Sequence, residues 1–242
     1  MVEAKQMTIG ILGYGEVGKA IYKLYEEKGI SPLLRDITRN EFTDLDVLHV
    51  CIPYTEHFVS TVWDNQTQYE PSLVVIHSTV PVGTTKKIGT NAVHAPIRGI
   101  HPNLKEGIET FVMYVGYDRQ KALQKFEAIS WKMGIKFSAV KDSRNTELAK
   151  LASTTYYGLC IAYHGYVDKL VKKHKLDFDM VMTDWTDTYN DGYTKLGKPE
   201  VTRPILYPPK GNIGGHCVIE NAKLLEDQYG KDPILDSILR YE

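Results

Sequence analysis

Met7-Thr8-Ile9-Gly10-Ile11-Leu12-Gly13-Tyr14-Gly15-Glu16-Val17-Gly18 is the stretch on which the reading of the fold turns. Met7–Leu12 is a compact apolar run of strand character, and Val17–Glu27 then places Val17, Ile21 and Leu24 at helical spacing. Between them Gly13, Tyr14, Gly15, Glu16, Val17 and Gly18 fit G-x-G-x-x-G at a strand-to-helix turn. Chemistry explains the glycines. The first allows a tight turn, the second lets a pyrophosphate approach backbone N–H groups, and the third permits close helix–strand packing. The amino end of the helix adds a field that favours phosphate. The same fingerprint requires an acidic residue about 20 positions on, at the end of the next strand. Asp36 closes Pro32-Leu33-Leu34-Arg35-Asp36 in that way. Its carboxylate would accept from a ribose and repel a 2′-phosphate, which favours NAD, while Arg35 beside it is a group that accommodates such a phosphate.

Working outward, Pro32–Arg35, Val47–Ile52, Leu73–His77 and Val112–Val115 read as further short strands, alternating with helical patterns. That order predicts an α/β fold of Rossmann type, a doubly wound, mostly parallel sheet. The pattern changes near residue 142. Residues 145–173 contain no proline and set Leu148, Leu151, Ala152, Leu159, Ala162, Tyr163, Tyr166 and Leu170 on one broad face at helical period. A long central helix is predicted there, opening a mainly helical second domain. The expected domains are 1–141 for the dinucleotide and 142–242 for the helical part. Asp177–Pro209 reads as a short helix plus loops, Glu220–Tyr229 as a last helix, and little beyond residue 226 except a tail.

The 242 residues carry 29 Lys+Arg against 30 Asp+Glu, a balance that argues against a nucleic-acid partner. With 43% apolar residues the chain has enough to bury a core, so a disordered chain is excluded. No apolar run approaches the roughly 18 residues of a membrane span, and the first six residues lack a signal-peptide stretch. Cys51, Cys160 and Cys217 have no paired spacing, so a soluble protein of the reducing cytoplasm is expected. No spaced ligand set accompanies His216 and Cys217, so no metal site is expected.

Several segments, in order, resemble the UDP-glucose/GDP-mannose dehydrogenase family. Ser78-Thr79-Val80-Pro81-Val82-Gly83-Thr84-Thr85 is similar to its post-strand loop, Asp44–Pro53 to its third strand and proline turn, and Glu147-Leu148-Ala149-Lys150-Leu151-Ala152 to the start of its long helix. Gly211-Asn212-Ile213-Gly214-Gly215-His216-Cys217 is similar to its nucleophile loop. The resemblance implies oxidation of an alcohol of a sugar or sugar nucleotide to a carboxylic acid with two NAD. It makes Cys217 the nucleophile that captures an aldehyde and passes through a thioester, and Lys150 the group that binds the developing alkoxide. It sets Thr79 beside the nicotinamide and Pro53 at the cofactor crevice. It also implies a homodimer through the helix 145–173, and a third, carboxy-terminal domain that this chain lacks. The glycine-rich setting is expected to expose the Cys217 sulfur, whereas Cys51 and Cys160 read as small fillers.

Three positions depart from the family. Thr154 stands where it has an asparagine, Asn221 where it has an aspartate, and Ile97 where a glutamate follows Pro96. An asparagine cannot take a proton at neutral pH, so thioester hydrolysis loses its obvious base. His94, His101, His216, Glu220 and Asp191 are the candidates to compensate, His101 first, in Ile100-His101-Pro102-Asn103, a segment similar to the His-Pro pair of prephenate-type dehydrogenases. Trp185–Tyr193 is dense in aromatic and hydrogen-bonding groups, read either as sugar recognition or as a surface loop. Arg203 and Lys210 are candidates for a substrate phosphate. Two other functions stay open: a dehydrogenase performing one hydride transfer on another substrate class, and a non-catalytic NAD-binding protein.

Overall fold

Strand β1 (Ile9–Leu12) leads into helix α1 (Glu16–Glu26), followed by β2 (Leu33–Asp36), β3 (Arg39–Asn40), β4 (Val47–Val50) and α2 (Phe58–Tyr69). Next come β5 (Leu73–Ile76), α3 (Thr84–Ile88), β6 (Ala92–His94), α4 (Leu104–Thr110), β7 (Met113–Tyr117), α5 (Gln120–Met133) and β8 (Phe137–Lys141). This computed structural model describes residues 7–211, 213 and 215–241, without the side chain of His216. Residues 1–6, read above for a leader, and Asn212 and Gly214 of the cysteine segment lie outside the described residues.

The strands form one sheet in the order β3-β2-β1-β4-β5-β6-β7-β8. All neighbours run parallel except β2 with β3 and β6 with β7. The fold is therefore α/β and doubly wound, as the alternation predicts. β1, β4 and β5 are buried at every residue, the mark of parallel strands covered on both faces. Their alternate side chains feed two cores. Ile9, Ile11, Val47 and Val75 pack with Ile21, Leu24 and Tyr25 of α1 and Phe126 of α5. On the opposite face Leu12, Leu48, Val50 and Ile76 pack with Phe58 and Val62 of α2. The chain leaves β1 for β2 on one side and returns to β4 on the other. The switch point, where such sheets bind ligands, is thus at the carboxyl ends of β1 and β4.

Three strands escape the sequence reading. β3 is a two-residue return paired with Asp36 and Arg35, β6 has three residues, and β8 is half exposed and so carries no apolar run. β7 is also antiparallel to β6.

Beyond the sheet, α6 (Arg144–His174) matches the long helix predicted over 145–173. Lys172, Lys173 and His174 in its last turn complement the negative end of the helix dipole. A π-helical turn, Asp179–Asp184, leads into α7 (Trp185–Lys195), and α8 (Gly215–Tyr229) and α9 (Pro233–Leu239) follow. Three corrections arise here. The short helix expected within Asp177–Pro209 is α7, and it takes in Trp185–Tyr193, read also as a surface loop, because the polar side chains there bond inside the helix. Thr188 and Thr194 donate to the carbonyls of Asp184 and Asn190, and Lys195 pairs with Asp191. α8 begins at Gly215 rather than Glu220. The expected tail contains α9, started by Pro233 and by an Asp232 carboxylate that accepts from the Ile234 N–H at 2.8 Å. Leu235 and Ile238 of α9 are buried with Ile161, Val218 and Ala222. The chain divides into two compact units between Lys150 and Leu151, within α6. No helix among the described residues is long and apolar enough to cross a membrane.

Candidate functional site

The glycine loop occupies the switch point. Gly13 has φ +93°, a left-handed conformation, and its N–H donates to Arg35 O at 2.8 Å. A Cβ on Gly18 would stand 2.0 Å from Gly13 O, so only glycine lets α1 rise directly from the turn. Nothing stands within 4 Å of the corresponding point at Gly15, which leaves that backbone open to approach. Glu16 is exposed as the first residue of α1, and Val17 is half-buried behind it. Asp36 is placed as the fingerprint requires. Its carboxylate accepts from the Tyr14 N–H at 3.0 Å and the Ile37 N–H at 2.8 Å, and the side chain is otherwise exposed. Arg35 turns away from it: Nη1 donates to Asn65 Oδ1 at 2.9 Å and to the Tyr69 hydroxyl at 3.2 Å, both on α2. The arginine considered for a 2′-phosphate is therefore committed elsewhere, and the open main chain at Gly15 fits the approach of a dinucleotide's pyrophosphate.

The neighbouring strand ends carry two more of the expected residues. Pro53 is exposed after β4, and Thr79 is half-buried after β5. Ser78 Oγ donates to Ile52 O at 2.6 Å and joins the two loops. Burial pushes the Cys51 thiol well up, which fits the filler reading.

Behind these loops lies a row of buried polar side chains, of which the sequence reading names only His94. His77 Nδ1 is 2.7 Å from Ala95 O, His49 Nδ1 is 2.9 Å from His77 Nε2, and the Tyr25 hydroxyl is 2.8 Å from His49 Nε2. A carbonyl only accepts, so His77 carries its proton on Nδ1 and accepts at Nε2. His49 then donates through Nδ1 and accepts from Tyr25. The two imidazoles stack at 5.1 Å. Burial holds His49 well below its ordinary range and His77 down to about 4. On β6, His94 Nε2 donates to Ser78 O at 3.2 Å and Nδ1 accepts from the Thr146 hydroxyl at 2.9 Å. Burial lowers His94 to about 3, against the Ser78 bond and with help from His77 and Lys150. The signal available in the sequence was His49 inside the otherwise apolar Val47-Leu48-His49-Val50, because a buried polar group must be bonded.

The first turns of α6 are fastened onto the same loops. Glu147 is fully buried, and its carboxylate accepts from Gly83 N–H at 2.5 Å, Thr85 N–H at 2.7 Å and the Thr85 hydroxyl at 2.6 Å. It thereby caps α3, whose own N-cap position, Gly83, has no side chain to do so. One turn on, Lys150 Nζ donates to Ile97 O at 2.8 Å. The first unit thus brings the predicted Lys150 to the loop of Ile97, near His94.

In the second unit Cys217 is exposed in the first turn of α8 rather than in a glycine loop, and Asn221, one turn on, is buried. α8 crosses α6 at Gly158, where a Cβ would meet Val218 at 2.4 Å. Thr154 is half-buried one turn before that crossing. Among the described residues no disulfide joins the three cysteines. On α7, Tyr189 and Tyr193 lie 4.5 Å apart, with the Arg203 guanidinium 3.8 Å over Tyr189. Asn190 fixes the Arg203 backbone through two 2.8 Å bonds, and Lys210 is exposed. Of the candidate bases, His94 is sealed from solvent, Asp191 pairs with Lys195, Glu220 lies 3.6 Å from Lys223, and His101 contacts Glu16.

The fold, a Rossmann-type sheet followed by a long helix, is similar to that of several solved dehydrogenase structures. UDP-D-ManNAc dehydrogenase from Pyrococcus horikoshii aligns with 97% of this chain and 68% of its own, at TM-score 0.78 and 16% identity. UDP-glucose dehydrogenase from Pyrobaculum islandicum aligns with 100% and 69%, at TM-score 0.74 and 15% identity. The 3-hydroxyisobutyrate dehydrogenase of Mycobacterium tuberculosis aligns with 97% of this chain and 91% of its own, at TM-score 0.67 and 14% identity. The chain spans about two thirds of the sugar-nucleotide enzymes and nearly the whole of the hydroxyacid enzyme. No family model and no curated protein sequence matches it.

Proposed function

We propose that the protein is an NAD-dependent oxidoreductase acting on an alcohol, with a sugar or sugar nucleotide as substrate. The observation that carries this reading is the glycine loop at the switch point, with Gly13 left-handed, Gly18 in contact with the turn and Asp36 at the end of β2. The main chain of Gly13, Tyr14, Gly15, Glu16, Val17 and Gly18 would hold the pyrophosphate and Asp36 the adenosine ribose, with Pro53 and Thr79 on the nicotinamide side. NAD supplies a hydride acceptor when bound. Lys150 would hold the substrate hydroxyl and balance charge that develops on its oxygen. Cys217, exposed at the start of α8, would add to an aldehyde, with Thr154 and Asn221 orienting groups around it.

A one-step dehydrogenation is the second reading. It is favoured by Ile97 and Asn221, which leave the thioester route without its expected carboxylates. Incubation with NAD, nucleotide sugars and 3-hydroxy acids, with NADH followed by absorbance, separates the two. Two NADH per substrate, lost in Cys217→Ser, supports the four-electron route. One NADH, insensitive to that substitution, sinks it, and NADH binding without turnover on any substrate points to a non-catalytic protein.

A homodimer through α6 belongs to the same reading. Tyr156, Tyr163 and Tyr166 are exposed on one side of that helix, a face that apolar contact with a second copy would cover. A monomer by sedimentation at micromolar concentration would refute the dimer.

A further inference from the structure

Glu16 opens α1 directly after Gly15, so its carboxylate stands at the amino end of the helix. Backbone N–H groups and the helix dipole concentrate positive potential there, the feature a pyrophosphate needs. A carboxylate in that position draws on the same field and adds a like charge to the one that must approach. The Glu16 carboxylate is in contact with Nδ1 of His101, which reaches it from the segment after β6. Both side chains are about half exposed, at 52% and 53%. An ion pair at that exposure adds little to stability, so its consequence is the charge it presents to a ligand.

We propose that Glu16 and His101 form a proton-linked gate on the dinucleotide pyrophosphate. With the imidazole neutral, Glu16 opposes the phosphates. With the imidazole protonated, the pair is balanced and the dinucleotide binds. The proposal rests on the reading of the glycine loop as a dinucleotide site. The charged groups that share a groove with Glu16, beside the His101–Asn103 segment, are Lys19 and Lys23 of α1 and Lys105, Glu106 and Glu109 of α4. Lys105 is held by Glu27 at 3.0 Å and Glu109 at 2.7 Å. Histidine alone among these residue types ordinarily changes charge between pH 6 and 8.

The same segment also holds the other end of the site. Ala95 O accepts from His77 and Ile97 O accepts from Lys150, so the loop that carries His101 is anchored beside the lysine.

Equilibrium titration with NADH, read by its fluorescence, tests this without a substrate. In the wild type the Kd should tighten about tenfold from pH 8.5 to pH 6.0, the size of one linked proton whose affinity changes tenfold on binding. Glu16→Gln should bind tightly at both pH values, and His101→Gln weakly at both, so the two variants move in opposite directions at pH 7.5. His57→Gln, at the exposed start of α2, should keep the wild-type slope. Weaker binding in Glu16→Gln, or a slope that survives in His101→Gln, overturns the gate. NADH binding with a flat wild-type profile overturns the gate alone. Failure of the wild type to bind NADH at any pH overturns the gate and the glycine-loop reading together.

Discussion

In the first unit, buried polar groups bond across elements that are far apart in sequence. Tyr25 of α1 meets His49 of β4, His94 of β6 meets Thr146 of α6, and Glu147 of α6 caps α3. In the second unit, two buried polar groups of α6 bond back to their own helix. Thr155 Oγ1 donates to Leu151 O at 2.9 Å and His164 Nδ1 to Cys160 O at 2.7 Å, both on α6. The difference separates two ways of fixing a site. Directional bonds between elements position the loops around the glycine turn and Lys150, whereas the helices that carry Cys217 and Asn221 are held by non-directional packing of Ile161, Val218 and Ile238.

Acid should give the largest break in that comparison. His49, His77 and His94 are neutral and buried, with folded-state pKa values below the ordinary 6.5. Above pH 6.5 neither state takes up a proton, and their stabilising bonds are intact. As pH falls from 6.5 towards about 4 for His77 and about 3 for His94, the unfolded state binds more protons and stability is lost. The loss is up to roughly 1.4 kcal/mol per pH unit per histidine. Hydrogen exchange between pH 7 and pH 4.5 should show protection falling in β4, β5 and β6 before α8 and α9; simultaneous loss would erase the distinction.

Next in size is Glu147→Ala. It leaves two buried N–H groups and a hydroxyl without an acceptor, at a cost of about 3–5 kcal/mol. Urea unfolding measures it, and a cost under about 1 kcal/mol would show that α3 does not depend on the crossing bond. Ile238→Ala sharpens the other side, since a fully buried isoleucine cut to alanine costs about 2–5 kcal/mol. A much smaller value would mean that α9 is dispensable to the packed helices. The smallest effect belongs to Thr155→Val, which removes a hydroxyl bonded only within its own helix and should change stability by less than about 1 kcal/mol.

What the sequence discloses follows the same divide. The turn at Gly13–Gly18 is legible because its glycines record backbone demands, and Asp36 because a strand end fixes its distance from them. α6 is legible from its long period of apolar residues. α7 is legible as a short helix within Asp177–Pro209 but not in its bounds, because Thr, Asp and Asn are read as loop formers unless their side chains are seen to bond within the helix. α9 escapes because its buried pair, Leu235 and Ile238, is too short a signal. Glu147 was visible as a residue of a motif but not as a cap, since its partners Gly83 and Thr85 lie more than sixty positions away. Lys150 could be chosen from the motif, while its acceptor, a main-chain carbonyl at Ile97, leaves no mark in residue identity.

Because the division between the units falls within α6, the molecule resists dissection. A fragment ending at Lys150 would retain only the stub Arg144–Lys150, shorter than the roughly 12–15 residues an isolated helix needs to persist in water. Fraying of that stub would withdraw Glu147 from α3 and Thr146 from His94, so the excised sheet would lose bonds from its interior, well away from the cut. An expression fragment meant to isolate the nucleotide-binding half should therefore run past His174, carrying the whole helix with it.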